Sequence, residues 1–191
     1  MKNILFVCTG NTCRSPMAEA LLRAKAGDRF DVRSAGVFAV DGGPAAHEAV
    51  QVLSERGIDC HHQSKKLDEA LIRWADVILT MTESHKRTVG VRFPESAGKV
   101  YTLKEYTDDD PETVQKWKKL ETYYAELETK RALKQRENID WLEKEIRALE
   151  ASLPSSDIAD PFGSNIDQYR TVCAEIEKCL DQLVKKEDKK D

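Results

Sequence analysis

The 191-residue sequence lacks any long hydrophobic run. Its apolar stretches are only a few residues long, whereas a membrane-spanning helix needs about 20. The first residues also lack the basic lead and apolar core of a secretory signal. We therefore expect no membrane partner, and we expect the protein to be cytoplasmic.

An excess of charge of one sign is also missing. The 30 basic residues stand against 34 acidic ones and give a formal net charge of −4 at pH 7. This balance argues against nucleic acids and anionic membranes as partners. Hydrophobic residues make up 40% of the chain and charged residues 34%, so the composition predicts a globular protein with one main hydrophobic core.

A disulfide framework and a metal site are missing as well. The cysteines are odd in number and irregularly spaced, which is typical of reduced thiols. They are Cys8, Cys13, Cys60, Cys173 and Cys179. His61 and His62 are adjacent, but no third ligand is spaced to complete a metal site with them. We expect neither a metal nor another cofactor.

What the sequence does contain is an alternation of strand-like and helix-like segments. The strand-like segments are NILFV, FDVRSAG, DVILTMT and KVYTL. The helix-like segments are MAEALLRAKAG, GPAAHEAVQVLSERG, DEALIRWA, SHKRTVGVRFP and the C-terminal NIDQYRTVCAEIEKCLDQLVKK. This order predicts an α/β fold, an open four-stranded parallel sheet of doubly wound, Rossmann-like type with helices on both faces. Such sheets bind ligands beyond the carboxyl ends of their strands.

One segment, residues 108–156, interrupts this alternation with a composition rich in Glu, Lys, Leu and Ala and without glycine. It carries two apolar stripes that are out of phase with each other. The stripes are Trp117, Leu120, Tyr124 and Leu127, then Ile139, Leu142, Ile146, Leu149 and Leu153. They predict either a helical hairpin, which we favour although no Gly or Pro marks its turn, or a continuous coiled-coil helix with a stutter.

We therefore divide the chain into an α/β domain, residues 1–107 and 157–191, and an inserted helical arm, residues 108–156. The arm is interpreted either as an element for binding a partner or a second copy of the chain, or as a passive solvated projection.

The loop CTGNTCRS, residues 8–15, follows the first strand and points to phosphoryl chemistry. Five small or polar residues, among them Gly10, separate Cys8 from Arg14. Such a loop can turn its N–H groups inward and form an anion nest that the next helix completes. Arg14 adds a planar fork of donors for two phosphoryl oxygens. Cys8 is expected to be a thiolate nucleophile there, with Ser15 donating a hydrogen bond to its sulfur.

The stretch VCTGNTCRSPMAEA resembles the signature of the low-molecular-weight phosphotyrosine phosphatase family, and RSAG, ADVILTMTESH and DPFG match further family landmarks in order. The resemblance covers residues 1–107 and 157–185 and implies the fold of that family. It also implies that Cys8 forms a phosphocysteine and that Arg14 clamps the phosphoryl group. Asp160 would be the general acid and then the base, because the loop itself supplies no proton for the leaving group.

The resemblance further implies that Asn11 and Ser15 hold the loop in shape and that His62 supports them. The residues expected to contact the substrate are Thr9, Gly10, Asn11, Thr12, Cys13, Ser15, Phe38 and Phe162.

Thr12 bears on the choice of substrate. Tyrosine-directed members of the family usually carry a branched aliphatic residue at this position, whereas members that resemble bacterial protein arginine phosphatases carry threonine. A threonine hydroxyl can accept a hydrogen bond from a guanidinium, and Phe38 and Phe162 can stack on it. We therefore expect phosphorylated proteins as partners, with phosphoarginine as the favoured substrate and phosphotyrosine as the alternative.

Two other functions share the loop. An arsenate reductase needs two more redox cysteines near a flexible loop, and Cys60 has no close partner in the sequence. A scaffold that only binds phosphorylated partners needs neither a thiolate nor an acid. Cys13 is expected either to form a reversible disulfide with Cys8 on oxidation, or to act as a small filler in the loop.

Overall fold

A single parallel sheet organises the main part of the computed structural model, which describes residues 1–189. Its strand order is β2–β1–β3–β4. The strands are β1 Lys2–Cys8, β2 Phe30–Gly36, β3 Val77–Thr80 and β4 Val100–Thr102. All neighbouring pairs are parallel, which confirms the predicted four-stranded sheet. Lys190 and Asp191, which end the second segment of the predicted α/β domain, lie outside the described residues.

Eight α-helices accompany the strands within the described residues. They are α1 Arg14–Ala26, α2 His47–Ser54, α3 Glu69–Trp74, α4 Glu83–Arg92, α5 Leu103–Thr107, α6 Pro111–Ala132, α7 Ile139–Ser152 and α8 Ile166–Asp188. Among residues 1–189, none of the helices has the length and apolar character needed to cross a membrane.

Alternate side chains of β1 enter two separate hydrophobic cores, because successive residues of a strand point to opposite faces of the sheet. Ile4 and Phe6 pack with residues of α1, α2, α5 and α8 on one face. Leu5 and Val7 pack with residues of α3 and α4 on the other face. Both faces of the sheet are therefore covered by helices, as the sequence pattern predicts.

The chain reverses its direction of travel across the sheet at β1, because β2 lies on one side of β1 and β3 on the other. The carboxyl end of β1 is therefore a topological switch point, where sheets of this type bind ligands. Cys8 is the last residue of β1 and lies opposite Gly36 of β2.

Helix α5 is absent from the sequence prediction, which has the fourth strand running through Leu103. The strand ends at Thr102 instead, because the Thr102 hydroxyl accepts a hydrogen bond from the Glu105 backbone N–H at 3.1 Å. This side-chain cap starts a helix directly after the strand.

The described residues form two compact units. One unit contains Met1–Thr107 and the described residues from Ser156 onward, and the other is Asp108–Ser155. In the second unit, α6 and α7 share a core of their own. Its buried residues are Leu120, Leu127, Leu142 and Ile146.

The second unit is a hairpin and not a continuous helix. In the first half of the pairing, Tyr124 of α6 donates a hydrogen bond to Glu150 of α7. Further along α6, Arg131 Nη2 lies 2.8 Å from Oε1 of Glu143, which comes earlier in α7, so the two helices are antiparallel. The turn uses left-handed backbone at Lys134 (φ 54°) and Asn138 (φ 62°). The turn is thus built without glycine or proline, which explains why the sequence carries no obvious signal for it.

Candidate active site

The loop between β1 and α1 places a cysteine and a helix N-terminus next to each other. Cys8 ends β1 and is buried, and α1 begins six residues later at Arg14. Asn11, in the middle of the loop, has a left-handed backbone (φ 56°), which lets the chain curl over a short distance. No side chain caps the N-terminus of α1. An uncapped helix N-terminus presents N–H groups and partial positive charge to an anion.

Ser15 is placed to donate a hydrogen bond to the sulfur of Cys8. The Cys8 Sγ and Ser15 Oγ atoms are 2.8 Å apart. Asn11 Nδ2, which can only donate, also reaches Ser15 Oγ at 2.9 Å. Ser15 therefore accepts from Asn11, and its own proton is free to point at the sulfur. The loop therefore places a hydrogen-bond donor directly on the sulfur of Cys8.

Asn11 is fully buried, and its side-chain amide and its backbone carbonyl are used to fix the loop. Its Nδ2 donates to Ser15 and to Ser34 Oγ at 2.9 Å. Its Oδ1 accepts from the Lys65 backbone N–H at 2.8 Å, and its backbone carbonyl accepts from His62 Nε2 at 2.8 Å. Because a carbonyl only accepts, His62 carries a proton on Nε2. The geometry places Asn11, Ser15 and His62 in one network behind the loop.

Gly36, which the sequence prediction does not include among the site residues, is required by this packing. A Cβ on Gly36 would lie 2.4 Å from the Thr9 carbonyl oxygen and 2.9 Å from the Asn11 backbone nitrogen. The Val37 and Phe38 N–H groups donate to the Cys8 and Thr9 carbonyls, each at 3.0 Å. The chain after β2 therefore supports the loop directly, backbone against backbone.

Arg14 connects the loop to the segment that contains Asp160. Its side chain is buried, with the whole residue 4% exposed. Nη1 donates to the Ile158 carbonyl at 2.9 Å, and Nη2 lies 3.3 Å from Asp160 Oδ2. The Asp160 side chain is 53% exposed, and its other carboxylate oxygen accepts from the Phe162 N–H at 3.1 Å. The structure thus brings Cys8, Arg14 and Asp160 together at the carboxyl end of the sheet.

His85 is a further residue at this place that the sequence prediction does not include. It is 6% exposed, and its Nε2 lies 2.8 Å from Thr9 Oγ1. Burial, and then the nearby charge of Arg14, lower the pKa of His85 to about 4, so the imidazole is neutral near pH 7. A sequence signal existed, because His85 stands in the landmark MTESH directly after β3, the neighbour of β1.

The thiol of Cys13 faces the hydrophobic core. Its Sγ lies 3.2 Å from the Tyr169 hydroxyl and 3.7 Å from Thr12 Oγ1. Burial raises the pKa of the Cys13 thiol, the Tyr169 hydrogen bond being a smaller, opposing influence. Both Cys8 and Cys13 are free thiols, and a disulfide between them on oxidation stays a prediction.

Of the residues expected around the leaving group, Phe38 and Phe162 are exposed, whereas Thr12 is partly buried. The residues Phe38 and Phe162 are 71% and 74% exposed. The Arg92 guanidinium carbon lies 5.9 Å from the centre of the Phe38 ring. Thr12 is held through its backbone carbonyl, which accepts from the Ala46 N–H at 2.8 Å, and its side chain is partly buried. A Cβ on Gly10 would lie 3.7 Å from the Thr12 hydroxyl, so the two residues are neighbours in the loop.

In residues 1–189, no group of three or more His, Cys, Asp or Glu side chains is arranged to hold a metal ion. The groups gathered at this place are a cysteine with a hydroxyl at its sulfur, an arginine, the N–H groups of a helix N-terminus and a carboxylate.

Comparison with known proteins gives matches over almost the whole chain. The family model described as low molecular weight phosphotyrosine protein phosphatase matches residues 3–156. A protein-arginine-phosphatase from Geobacillus stearothermophilus is 38% identical over 183 residues, which cover 96% of this chain and 94% of the relative. The probable low molecular weight protein-tyrosine-phosphatase EpsP from Ralstonia solanacearum is 44% identical over 115 residues, which cover 58% of this chain and 79% of the relative.

A similar solved structure is that of a mutant of the YwlE arginine phosphatase with a phosphorylated active-site serine in place of cysteine. Its TM-score to this chain is 0.70 and its sequence identity is 36%, with 96% of this chain and 94% of that chain covered.

Proposed function

The chain belongs to the low molecular weight phosphotyrosine protein phosphatase family, and from this we propose that it hydrolyses phosphoarginine in proteins through a phosphocysteine intermediate. As a member of that family it is a cysteine-dependent protein phosphatase. The observation that carries the proposed chemistry is the Ser15 hydroxyl 2.8 Å from the Cys8 sulfur, in a loop whose Arg14 reaches Asp160.

In the first step, the Cys8 thiolate attacks phosphorus, so that an S–P bond forms and the P–N bond to arginine breaks. The N–H groups at the start of α1 and the Arg14 guanidinium bind the phosphoryl oxygens, where negative charge is concentrated. Asp160 gives its proton to the departing nitrogen, which takes the electron pair of the broken P–N bond, so that arginine leaves with its guanidinium restored.

In the second step, Asp160, now a carboxylate, takes a proton from a water molecule whose oxygen attacks phosphorus. A P–O bond forms and the S–P bond breaks, which releases inorganic phosphate and restores the Cys8 thiolate. The hydrogen bond from Ser15 makes the sulfur a better leaving group, because it stabilises the charge that returns to it. The solved relative with a phosphorylated active-site serine supports a covalent intermediate at this position.

The preference for phosphoarginine is proposed from the wall of the pocket. The Thr12 hydroxyl can accept from the guanidinium, and the Asp160 carboxyl group can face it. The exposed Phe38 ring has the Arg92 guanidinium 5.9 Å from its centre, so this face is already suited to a planar cation. The likeness to an arginine phosphatase over 96% of the chain supports the same substrate.

Phosphotyrosine is the second candidate, because the tyrosine phosphatase EpsP is 44% identical over the part of the chain that it matches. The exposed rings of Phe38 and Phe162 could pack against a phenol as well as against a guanidinium. Only phosphoarginine can donate a hydrogen bond to the Thr12 hydroxyl, because the phenol ring of phosphotyrosine carries no donor.

The test compares two peptides that differ only in carrying phosphoarginine or phosphotyrosine. We expect the wild type to have a higher kcat/KM on the phosphoarginine peptide than on the phosphotyrosine peptide. Thr12→Ile should lower kcat/KM on phosphoarginine by about tenfold or more, which is the usual effect of losing one contact to a substrate. Thr171→Ile, on the exposed side of α8, is the matched control and should leave both values unchanged. A wild-type preference for phosphotyrosine would refute the proposed substrate.

We further propose that the activity resides in residues 1–107 and 157–191, and that residues 108–156 form an arm that contacts partners. Large apolar side chains on the surface of the hairpin support this, with Trp141 50% exposed and Leu133 63% exposed. We also propose a cytoplasmic setting, because the mechanism needs Cys8 as a free thiol and reducing compartments maintain that state.

A further inference from the structure

The segment that leads to Asp160 is attached to the sheet just before that residue. The Ile158 N–H donates to the Met81 carbonyl at 2.8 Å, and the Ile158 carbonyl accepts from Arg14 Nη1 at 2.9 Å. The Ile158 side chain is buried in the main core. Ile158 is therefore a fixed point, two residues ahead of the proposed acid.

Asp157 adds a third attachment on the other side of Ile158. Its Oδ1 accepts from the backbone N–H of Glu83, the first residue of α4, at 2.8 Å. The helix's own cap, Thr82, accepts from the His85 N–H instead. Asp157 thus caps a different N–H group from a segment 74 positions away, and its negative charge is favourable at a helix N-terminus.

The same first turn of α4 also touches the nucleophile loop. His85, two residues after Glu83, lies 2.8 Å from Thr9 Oγ1, and Thr9 follows Cys8 directly. The first turn of α4 therefore contacts both the acid segment, through Asp157, and the cysteine loop, through His85. A rigid element shared by two catalytic segments fixes the distance between them.

From these contacts we propose that Asp157 is a positioning residue for Asp160, and that its bond to the first turn of α4 sets where the acid stands relative to Cys8. The proposal rests on the proposed function, in which Asp160 protonates the leaving group. In this proposal Asp157 acts through the position of Asp160 and not on the substrate.

This arrangement predicts a defect that depends on the leaving group. A displaced acid slows only substrates whose leaving group needs a proton, whereas a general loss of structure slows all substrates alike. The quantity to measure is kcat/KM, which reports formation of the phosphocysteine, over aryl phosphates of graded leaving-group acidity and a phosphoarginine peptide.

The variants are Asp157→Ala, which removes the acceptor, and Asp157→Asn, which keeps an oxygen in the same place. Asp68→Ala is the matched control, because Asp68 caps α3 by accepting from the Leu71 N–H at 2.9 Å. Asp160→Ala is the reference for complete loss of the acid. Asp157→Leu, similar in size to asparagine but without an acceptor, replaces the alanine variant if the latter does not fold.

We expect Asp157→Ala to lower kcat/KM by about tenfold for the poorest leaving groups and for phosphoarginine, and to leave the best leaving groups unchanged. Asp157→Asn should restore the wild-type profile, and Asp68→Ala should lower the melting temperature without changing the profile. An equal loss over all substrates, or a wild-type profile in Asp157→Ala, would overturn the positioning role alone. If Asp160→Ala itself shows no dependence on the leaving group, the proposed acid is wrong and the positioning role fails with it.

Discussion

Asn11 shows how a single side chain can fix the shape of the loop between β1 and α1. Its left-handed backbone (φ 56°) is unusual for a residue other than glycine, and buried hydrogen bonds hold it in place. The same amide orients Ser15, so that the hydroxyl proton points at the sulfur of Cys8. The shape of the loop and the orientation of Ser15 towards Cys8, the proposed nucleophile, therefore depend on one residue, and Asn11 is expected to tolerate no substitution without loss of activity.

His85 gives a prediction about pH at the same scale. Its pKa is about 4 in the folded chain, against an ordinary value of 6.5, because burial and the charge of Arg14 disfavour the imidazolium, while Asp157 and Asp160 favour it. Between these two values the unfolded chain binds a proton that the folded chain does not. His85 therefore lowers the free energy of unfolding as the pH falls through this window, by at most ~1.4 kcal/mol for each pH unit.

The measurement is urea unfolding of the wild type and His85→Gln at several pH values from 7 to about 4.5. The wild type should lose more stability than the variant over this range, since glutamine does not titrate while the carboxylates are common to both. Parallel curves would show that His85 is protonated normally in the folded protein.

The residues of the site differ in how far the sequence could reveal them. Cys8, Arg14 and Ser15 are neighbours in the chain, so their spacing alone predicts one loop. His85 and Asp157 reach the site by tertiary folding from positions more than 70 residues along the chain. Their contacts depend on which strands lie side by side, a property that spacing does not encode.

At the scale of elements, the close packing of β2 against the nucleophile loop gives a prediction for Gly36. Gly36→Ala would force a Cβ to within 2.4 Å of the Thr9 carbonyl oxygen, so the loop must shift. We expect a loss of about 1–3 kcal/mol in stability and a fall in kcat/KM on every substrate.

Gly90→Ala is the matched control for Gly36→Ala. Gly90 lies within α4, and a Cβ there meets no atom within 4 Å. Because glycine is unfavourable inside a helix, this change should stabilise the protein by up to ~1 kcal/mol. Equal effects of the two substitutions on melting temperature and on turnover would contradict the account of the β2 contact.

Element boundaries show the limit of sequence patterns. Hydrophobic periodicity predicts the four strands and the two helical stripes of residues 108–156, because each needs an apolar face. The start of α5 depends on a hydrogen bond from Glu105 to the Thr102 hydroxyl, and the hairpin turn depends on left-handed Lys134 and Asn138. Neither feature alters the apolar pattern, so the pattern could not reveal them.

At the scale of the whole molecule, the proposed reacting groups Cys8, Arg14 and Asp160 all belong to one of the two compact units. Replacing residues 109–155 with a Gly/Ser linker should therefore leave kcat/KM on a short phosphoarginine peptide unchanged. Turnover of whole phosphorylated proteins should fall, since we propose that the hairpin contacts partners.

A point variant gives the matched control for this deletion. Leu142 is fully buried in the hairpin core, and Leu142→Ala should destabilise the hairpin by about 2–5 kcal/mol while keeping the chain length. A loss of peptide turnover in both variants would contradict the assignment of the activity to residues 1–107 and 157–191.

The fold supports the proposed reaction through the position of the switch point. The strand order β2–β1–β3–β4 places Cys8 at the carboxyl end of β1, with β2 and β3 on its two sides. The end of β2 supplies Gly36, the helix that follows β3 supplies His85, and residues 157–160 contain the proposed acid. The strand order, more than any single motif, brings four distant parts of the chain to the proposed phosphoryl site.

The central claim is that phosphoarginine transfers its phosphoryl group to Cys8, and rapid denaturing quench followed by mass spectrometry tests it most directly. The wild type is mixed with a phosphoarginine peptide, quenched within one turnover and digested. We predict one added phosphoryl group on the peptide that contains Cys8, and no such species in Cys8→Ala quenched on the same timescale. Release of inorganic phosphate from phosphoarginine at the wild-type rate, without a phosphoryl group ever present on Cys8, would contradict the account.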